Sequence, residues 1–251
     1  MFLMGEALMK FYCTKEKQRK IACKYRILKK TKNLYKMERQ LMTMPRIGDQ
    51  APDFAAVTTT GKIQFSNYIK DSWTIMFSHP ADFTPVCTTE MSGFANEKSF
   101  FNKHKTKLIG LSIDSIHSHL AWVDNVRNNT GVYMDFPIIA DLDMKVSKLY
   151  GMLHPGESTT AAVRAVFFID PKGTIRLIMY YPLNVGRNMA EIQRALIALQ
   201  TADKNKIALP LNWEPGEKVI VPPPKTLKEM DAVIANTEYE KVDFYLAKKE
   251  L

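Results

Sequence analysis

A cysteine set where a strand hands over to a helix is placed to act as a nucleophile, and Cys87 is placed so. The other two cysteines, Cys13 and Cys23, both fall in the N-terminal arm. The run 73–78 (WTIMFS) is short, aromatic and β-branched and reads as a buried strand, which Pro80 and Pro85 bring to a stop. Thr88, Thr89 and Glu90 then open a helix, and Met91, Phe94, Ala95 and Phe101 recur behind them at roughly helical spacing. The sulfur thus belongs to a first helical turn, where free backbone N–H groups favour an anion. A helix N-terminus with a nearby cation can lower a thiol's pKa from about 8.5 into the range ~3.5–7.5, and the thiolate is the form that attacks. Position alone also allows a buried structural cysteine, since cysteine is among the most buried residue types.

The neighbours narrow this. Pro80, Thr84 and Cys87 form P-x-x-x-T-x-x-C, which resembles the active-site signature of the peroxiredoxins. The fuller string SHPADFTPVCTTE is similar to the one-cysteine, peroxiredoxin-6-like branch and its archaeal and bacterial relatives, and the resemblance runs from about residue 44 (MPRIGDQAPDF) to 251. It identifies Arg164, in TTAAVRAVFFID, with the arginine that approaches the sulfur. An arginine in an apolar strand needs an anion if it is buried, and a thiolate would satisfy it. Arg187, in YYPLNVGRN, is implied as a second arginine near the site or the dimer contact. His79 occupies a place that other branches fill differently, either hydrogen-bonding near the sulfur or serving as a satisfied structural histidine.

The chemistry implied by the resemblance is thiol-dependent peroxide reduction. Arg164, the Thr84 hydroxyl and the Cys87 N–H would hold a hydroperoxide, and Pro80 would shield the sulfur. Attack would give water or an alcohol and a sulfenic acid. No metal or cofactor is called for. Archaeal members carry further cysteines in the C-terminal domain, and residues 205–251 here have none. The expected cycle therefore has one cysteine and draws on an external reductant, thioredoxin-like or a small thiol. The expected assembly is a homodimer or a larger ring such as a decamer.

The elements that must position these residues read as α/β. A short strand over 62–65 precedes the central one. An apolar run over 107–114 suits a strand covered on both faces. A helix over 117–128, a strand over 136–140 and a short helix over 144–150 follow. Segments 162–170 and 174–181, joined by Pro171-Lys172-Gly173, read as a strand pair, and a helix begins at Met189. The pattern predicts a mixed sheet between helical layers; the resemblance makes it a thioredoxin-like fold with a small C-terminal extension domain. The expected division is an arm over 1–43, a peroxidase domain over 44–204 and a dimerisation domain over 205–251. After residue 204 the chain is punctuated by proline, with a helix over 226–237, and has too little apolar surface to fold alone. It should pack on the main domain or on another subunit.

Charge is distributed unevenly. Residues 1–43 hold twelve Lys and Arg against three Glu, which accounts for the whole formal charge of +9; the remaining 208 residues carry 23 basic and 23 acidic side chains. Basicity therefore says nothing of the main domain's partner, and no nucleic-acid role is expected. Three readings of the arm stand open: a stretch upstream of a true start at Met44, a basic surface extension, or a targeting segment. No apolar run reaches the ~18 residues a membrane helix needs, and three cysteines suit a reducing, cytoplasmic setting.

Other functions leave weaker traces. Some one-cysteine relatives are assigned phospholipase activity on a G-x-S-x-G-like string and a histidine. Here that string is KDSWT, around Ser72, with both glycines replaced, and Ser66 stands at the histidine position. A redox-regulated holdase chaperone or a peroxide sensor would use the same cysteine without turnover.

Overall fold

Strand and helix signals alternate from residue 46 because short near-continuous apolar runs alternate with apolar residues at helical spacing, and they fold into a mixed main sheet covered on both faces. The structure is a computed structural model that describes residues 44–251. The readings of Cys13, Cys23 and the arm lie outside the described residues. Seven strands are ordered β2-β1-β5-β4-β3-β6-β7. They are β1 (Ala55–Thr58), β2 (Gly61–Gln64), β3 (Trp73–Ser78), β4 (Thr106–Ser112), β5 (Ile138–Ala140), β6 (Arg164–Ile169) and β7 (Ile175–Tyr181). Pairs β3–β4 and β4–β5 are parallel; β3–β6, β6–β7, β1–β2 and β1–β5 are antiparallel.

All six residues of β3 are buried, as are all six of β6. Alternation along β3 sends Ile75 and Phe77 into one core and Met76 into the other. The first core lies beneath the helices Pro85–Asn96, Ile116–Thr130 and Met189–Asn205 and includes Cys87, Phe94, Trp122, Val166 and Leu196. The second gathers Phe65, Ile109, Tyr150 and Phe167 under the short helices Phe65–Ile69 and Lys145–Leu149.

Several boundaries depart from expectation for physical reasons. Phe65, expected to end a strand, opens the helix Phe65–Ile69, because Phe65 and Ile69 four residues apart both bury against the sheet. The single helix expected from Cys87 through Phe101 is two, Pro85–Asn96 and Lys98–Lys103, separated by Glu97. The helix Ile116–Thr130 extends beyond the expected 117–128, with Ser115 accepting from the Ser118 N–H at its start and Gly131 in the left-handed conformation (φ 75°) at its end.

The proline-punctuated tail holds strands that its sequence did not announce. Val219–Ile220 (β8), Glu240–Asp243 (β9) and Leu246–Lys249 (β10) form a second sheet, ordered β8-β10-β9, with the helix Leu227–Ala235 beside it. Its core is Val221, Val233 and Ala247, with Tyr239 and Phe244 against them. Arg194, on the last helix of the main sheet, donates to the Trp213 carbonyl at 3.2 Å and ties the tail's start to that helix. Leu227 and Val242 remain 76% exposed and Tyr245 60%.

At the end of β3 the sheet is clipped by a side chain. Ser78 Oγ donates to the Val163 carbonyl (2.5 Å) and accepts from the Ala165 N–H (3.1 Å), fixing the strand that begins at Arg164. Ser78→Ala should destabilise the protein by ~1–3 kcal/mol, the cost of leaving buried backbone groups short of a partner. Urea denaturation checks this; an unchanged midpoint would show that the clip contributes nothing.

Candidate active site

Pro85 is the first residue of the Cys87 helix, a position where its fixed φ suits the helix and its missing N–H costs nothing. Thr84 precedes it in an extended conformation, yet its side chain does not cap the helix. Instead Thr84 Oγ1 donates to the Ala81 carbonyl at 2.9 Å, closing a turn in which Phe83 takes a left-handed φ of 56°. The first-turn N–H groups, that of Cys87 among them, are thus left without a side-chain cap. Cys87 is fully buried and uncrosslinked.

Arg164 reaches the sulfur through sheet register. Phe77 lies opposite Val166, so Arg164, two residues earlier on the same face, stands just past the end of β3 where the loop to Cys87 begins. Its Nη1 donates to Cys87 Sγ at 3.3 Å and to Glu90 Oε2 at 2.7 Å; Nε and Nη2 donate to the Leu183 carbonyl at 3.0 and 2.7 Å. The anion facing this arginine is therefore Glu90 together with the sulfur, where the sequence suggested the sulfur alone.

Arg187 completes the cluster. It donates to both Glu90 oxygens from Nε (2.9 Å), Nη2 (2.8 Å) and its backbone N–H (2.8 Å). Its Nη1 donates to the carbonyls of Ser78 (2.9 Å) and Ala165 (3.0 Å). Phe77 and Phe94 enclose the guanidinium, their ring centres 5.4 and 5.5 Å away, a cation–π arrangement in a dry site. Burial pushes the Glu90 carboxyl up, but the charges and hydrogen bonds of Arg187, with the charge of Arg164, outweigh it and hold Glu90 below the usual carboxylate range.

A second buried network holds the loop before the helix. Asp82 accepts from His79 Nε2 (2.9 Å) on one oxygen and from His119 Nδ1 (2.8 Å) and Ser118 Oγ (2.8 Å) on the other. Burial opposes the Asp82 charge, and the hydrogen bonds of both histidines outweigh that, so its pKa is lowered. His79 is fully buried; desolvation depresses its pKa against the pull of Asp82, and its Nδ1 has no partner. The ligand atoms of His79, Asp82 and His119 lie within 4.8 Å of one another, a spacing that could hold a metal, but the carboxylate oxygens are occupied by these donors.

Of the residues singled out in the sequence, Cys87, Arg164 and Arg187 converge in one cluster, and Pro80 and Thr84 lie in the loop leading to it. His79 pairs with Asp82 and makes no hydrogen bond to the sulfur. Ser72 sits before β3, at the opposite end of that strand from the loop to Cys87. Glu90, Asp82 and His119 went unrecognised. Glu90 left a legible signal: three residues after Cys87, it shares that residue's helical face, and a carboxylate on a buried face requires a cation.

Residues 47–178 match the model of the AhpC/TSA family, and residues 198–240 that of the C-terminal domain of 1-Cys peroxiredoxin. The chain belongs to the peroxiredoxin family. It is 53% identical over 209 residues to peroxiredoxin 2 of Caldanaerobacter subterraneus subsp. tengcongensis, covering 83% of this chain and 94% of the relative. It is 48% identical over 223 residues to a peroxiredoxin of Aquifex aeolicus, covering 84% and 100%. Among solved structures, yeast mitochondrial 1-Cys peroxiredoxin superposes with a TM-score of 0.75 at 43% identity over 83% of this chain and all of that one. A mutant of peroxiredoxin 6 of Arenicola marina gives 0.74 at 36%, over 82% and 98%. The peroxiredoxin fold is thioredoxin-like, and its members are thiol-dependent peroxidases, so the chain is an enzyme of antioxidant type.

Glu90→Gln tests the charge cluster. Removing one partner of a buried ion network leaves the others uncompensated, so a loss of ~3–5 kcal/mol is expected in chemical denaturation. Because the folded pKa of Glu90 is depressed, its contribution is complete above the unfolded carboxylate value of about 4.3 and is lost as pH falls through the folded value. The wild type should therefore lose this stability below about pH 4, and the variant should lack that part of the acid limb. Identical acid limbs in the two proteins would remove Glu90 from the account.

Proposed function

We propose that Cys87 is the peroxidatic nucleophile, reducing hydrogen peroxide and organic hydroperoxides through a sulfenic acid that an external thiol recycles. The observation that carries this reading is the 3.3 Å contact from Arg164 Nη1 to Cys87 Sγ at the start of a helix. Two buried guanidiniums against one carboxylate leave one positive charge over, and a Cys87 thiolate balances it. The thiolate attacks one peroxide oxygen; the O–O bond breaks, and the other oxygen leaves as hydroxide or alkoxide and takes a proton to become water or an alcohol. Arg164 and the uncapped Cys87 N–H stabilise the charge growing on the leaving oxygen. The Thr84 hydroxyl, its own proton engaged by Ala81, accepts a hydrogen bond from the peroxide O–H. Pro80 shields the sulfur and slows further oxidation.

Residues 44–251 contain one cysteine, which supports recycling by an outside thiol in two exchanges: the first releases water and leaves a mixed disulfide, the second restores Cys87. The yeast mitochondrial relative is described as resolved through glutathione/thioredoxin systems, which supports a reductant of that class here. Such chemistry suits a reducing, cytoplasmic compartment; among the described residues, no helix is long and apolar enough to cross a membrane. For assembly we favour a homodimer or a larger ring. Strand β7 is an edge of the main sheet, bridged by residues 48–50 only at its start, and the exposed apolar side chains of the C-terminal sheet support reading residues 205–251 as a dimerisation domain after a peroxidase domain over 44–204.

Arg164→Ala should slow peroxide reduction by ~10²–10³ while far-UV circular dichroism is retained, the typical loss of one preorganised donor. Cys87→Ser should abolish turnover, whereas Cys13→Ser/Cys23→Ser in the full chain should leave dithiol-driven turnover intact. Wild-type rates in Arg164→Ala, or a Cys87 disulfide to Cys13 or Cys23 on non-reducing gels with turnover lost in the double variant, would overturn the mechanism or the one-cysteine cycle respectively.

A further inference from the structure

Residues 44–251 carry no net formal charge, yet basic side chains concentrate at the end of the main sheet where β3 begins. A groove of about 720 Å³ there is lined by Lys103, Lys105, Lys172 and Lys204, with Arg176 and Trp73 on its wall. Its two carboxylates are already engaged. Arg176 bonds both oxygens of Asp203, with Nη2 to Oδ1 at 2.7 Å, and reaches Asp170 at 3.3 Å. Among the described residues, none of the four lysine ammonium groups is paired with a carboxylate within 4.0 Å.

Ordinary structural roles account for half of this set. Lys103 and Lys204 sit in the last turns of the helices Lys98–Lys103 and Met189–Asn205, where a cation complements the helix dipole. Lys105 follows the first helix in a left-handed conformation (φ 49°), and Lys172 lies in the turn between β6 and β7; neither has a helix end of its own to serve. Four like charges from three segments around one groove repel each other, and an anion between them removes that cost.

We propose that this groove binds a small soluble anion carrying several linked phosphoryl groups. Lysine ammonium groups are suited to phosphate as point charges, and the volume falls in the ~300–1,000 Å³ range of small-molecule sites, too large for a single phosphate. The groove borders the first residue of β3, whereas Cys87 follows the last. A six-residue strand spans ~20 Å, so bound anion and reacting peroxide occupy separate places. The site therefore stands independently of the peroxidase reading.

Lysine acetylation footprinting by mass spectrometry on the full chain tests the proposal, with sodium tripolyphosphate and ATP as probes at physiological salt. At a probe concentration ten times Kd, Lys103, Lys105, Lys172 and Lys204 should label about tenfold more slowly. Exposed Lys62, Lys148 and Lys228 should keep their rates. In Lys105→Glu/Lys172→Glu, protection of Lys103 and Lys204 should disappear while peroxide turnover persists. Protection confined to residues 1–43, uniform protection of all lysines, or protection by phosphatidylglycerol vesicles without any by soluble tripolyphosphate would overturn it.

Discussion

Two guanidiniums and one carboxylate are sealed inside this protein beside a sulfur, and the arrangement is held together by the carboxylate that both cations share. Glu90 receives four donors, three from Arg187 and one from Arg164. Isolated charges at such depth would each cost several kcal/mol. The site is thus a single electrostatic unit in which the helix, β6 and the segment after β7 must all be in place before Arg164 can face Cys87. In the proposed reaction its one surplus positive charge meets the charge that moves onto the leaving oxygen.

Backbone geometry supplies what the charges cannot. The antiparallel register of β3 and β6 delivers Arg164 to the point where the chain leaves the sheet, and Ser78 locks that register with two hydrogen bonds. Thr84 makes a similar choice on the other side of the sulfur. A threonine preceding a helix commonly caps it, at a gain of ~1 kcal/mol. Here its proton goes to Ala81 instead, forgoing that stabilisation and leaving the first-turn N–H groups of the Cys87 helix without a side-chain cap.

Local features were legible and long-range ones were not. The buried strand at 73–78, the helix carrying Cys87 and the strand pair around Gly173 follow from periodicity and turn residues within a few positions. Arg164 and Arg187 became legible through their resemblance to a known pattern. Their shared partner Glu90 is legible only as a carboxylate on the helical face of Cys87 that needs a cation; that its cations lie 74 and 97 positions away is shown by the tertiary structure alone. Strands β9 and β10 escaped notice for a related reason: with β9 exposed along its whole length, no apolar alternation marks it, and pairing alone defines it.

The two buried charged networks beside the nucleophile differ in balance, and the difference separates their roles. Asp82 is answered by two histidines and a serine that all belong to the surrounding scaffold, so the network closes on itself and pins the loop over residues 79–84 to the helix Ile116–Thr130. A metal there would have to displace donors already in place. The Glu90 network does not close: after its carboxylate has met both arginines, one charge is still without a counterion inside a fully buried site. A scaffold built for stability alone would gain by replacing it with apolar side chains of similar volume. In the proposed mechanism it is retained because it faces Cys87 Sγ, 3.3 Å from Arg164, and not because it holds the fold together.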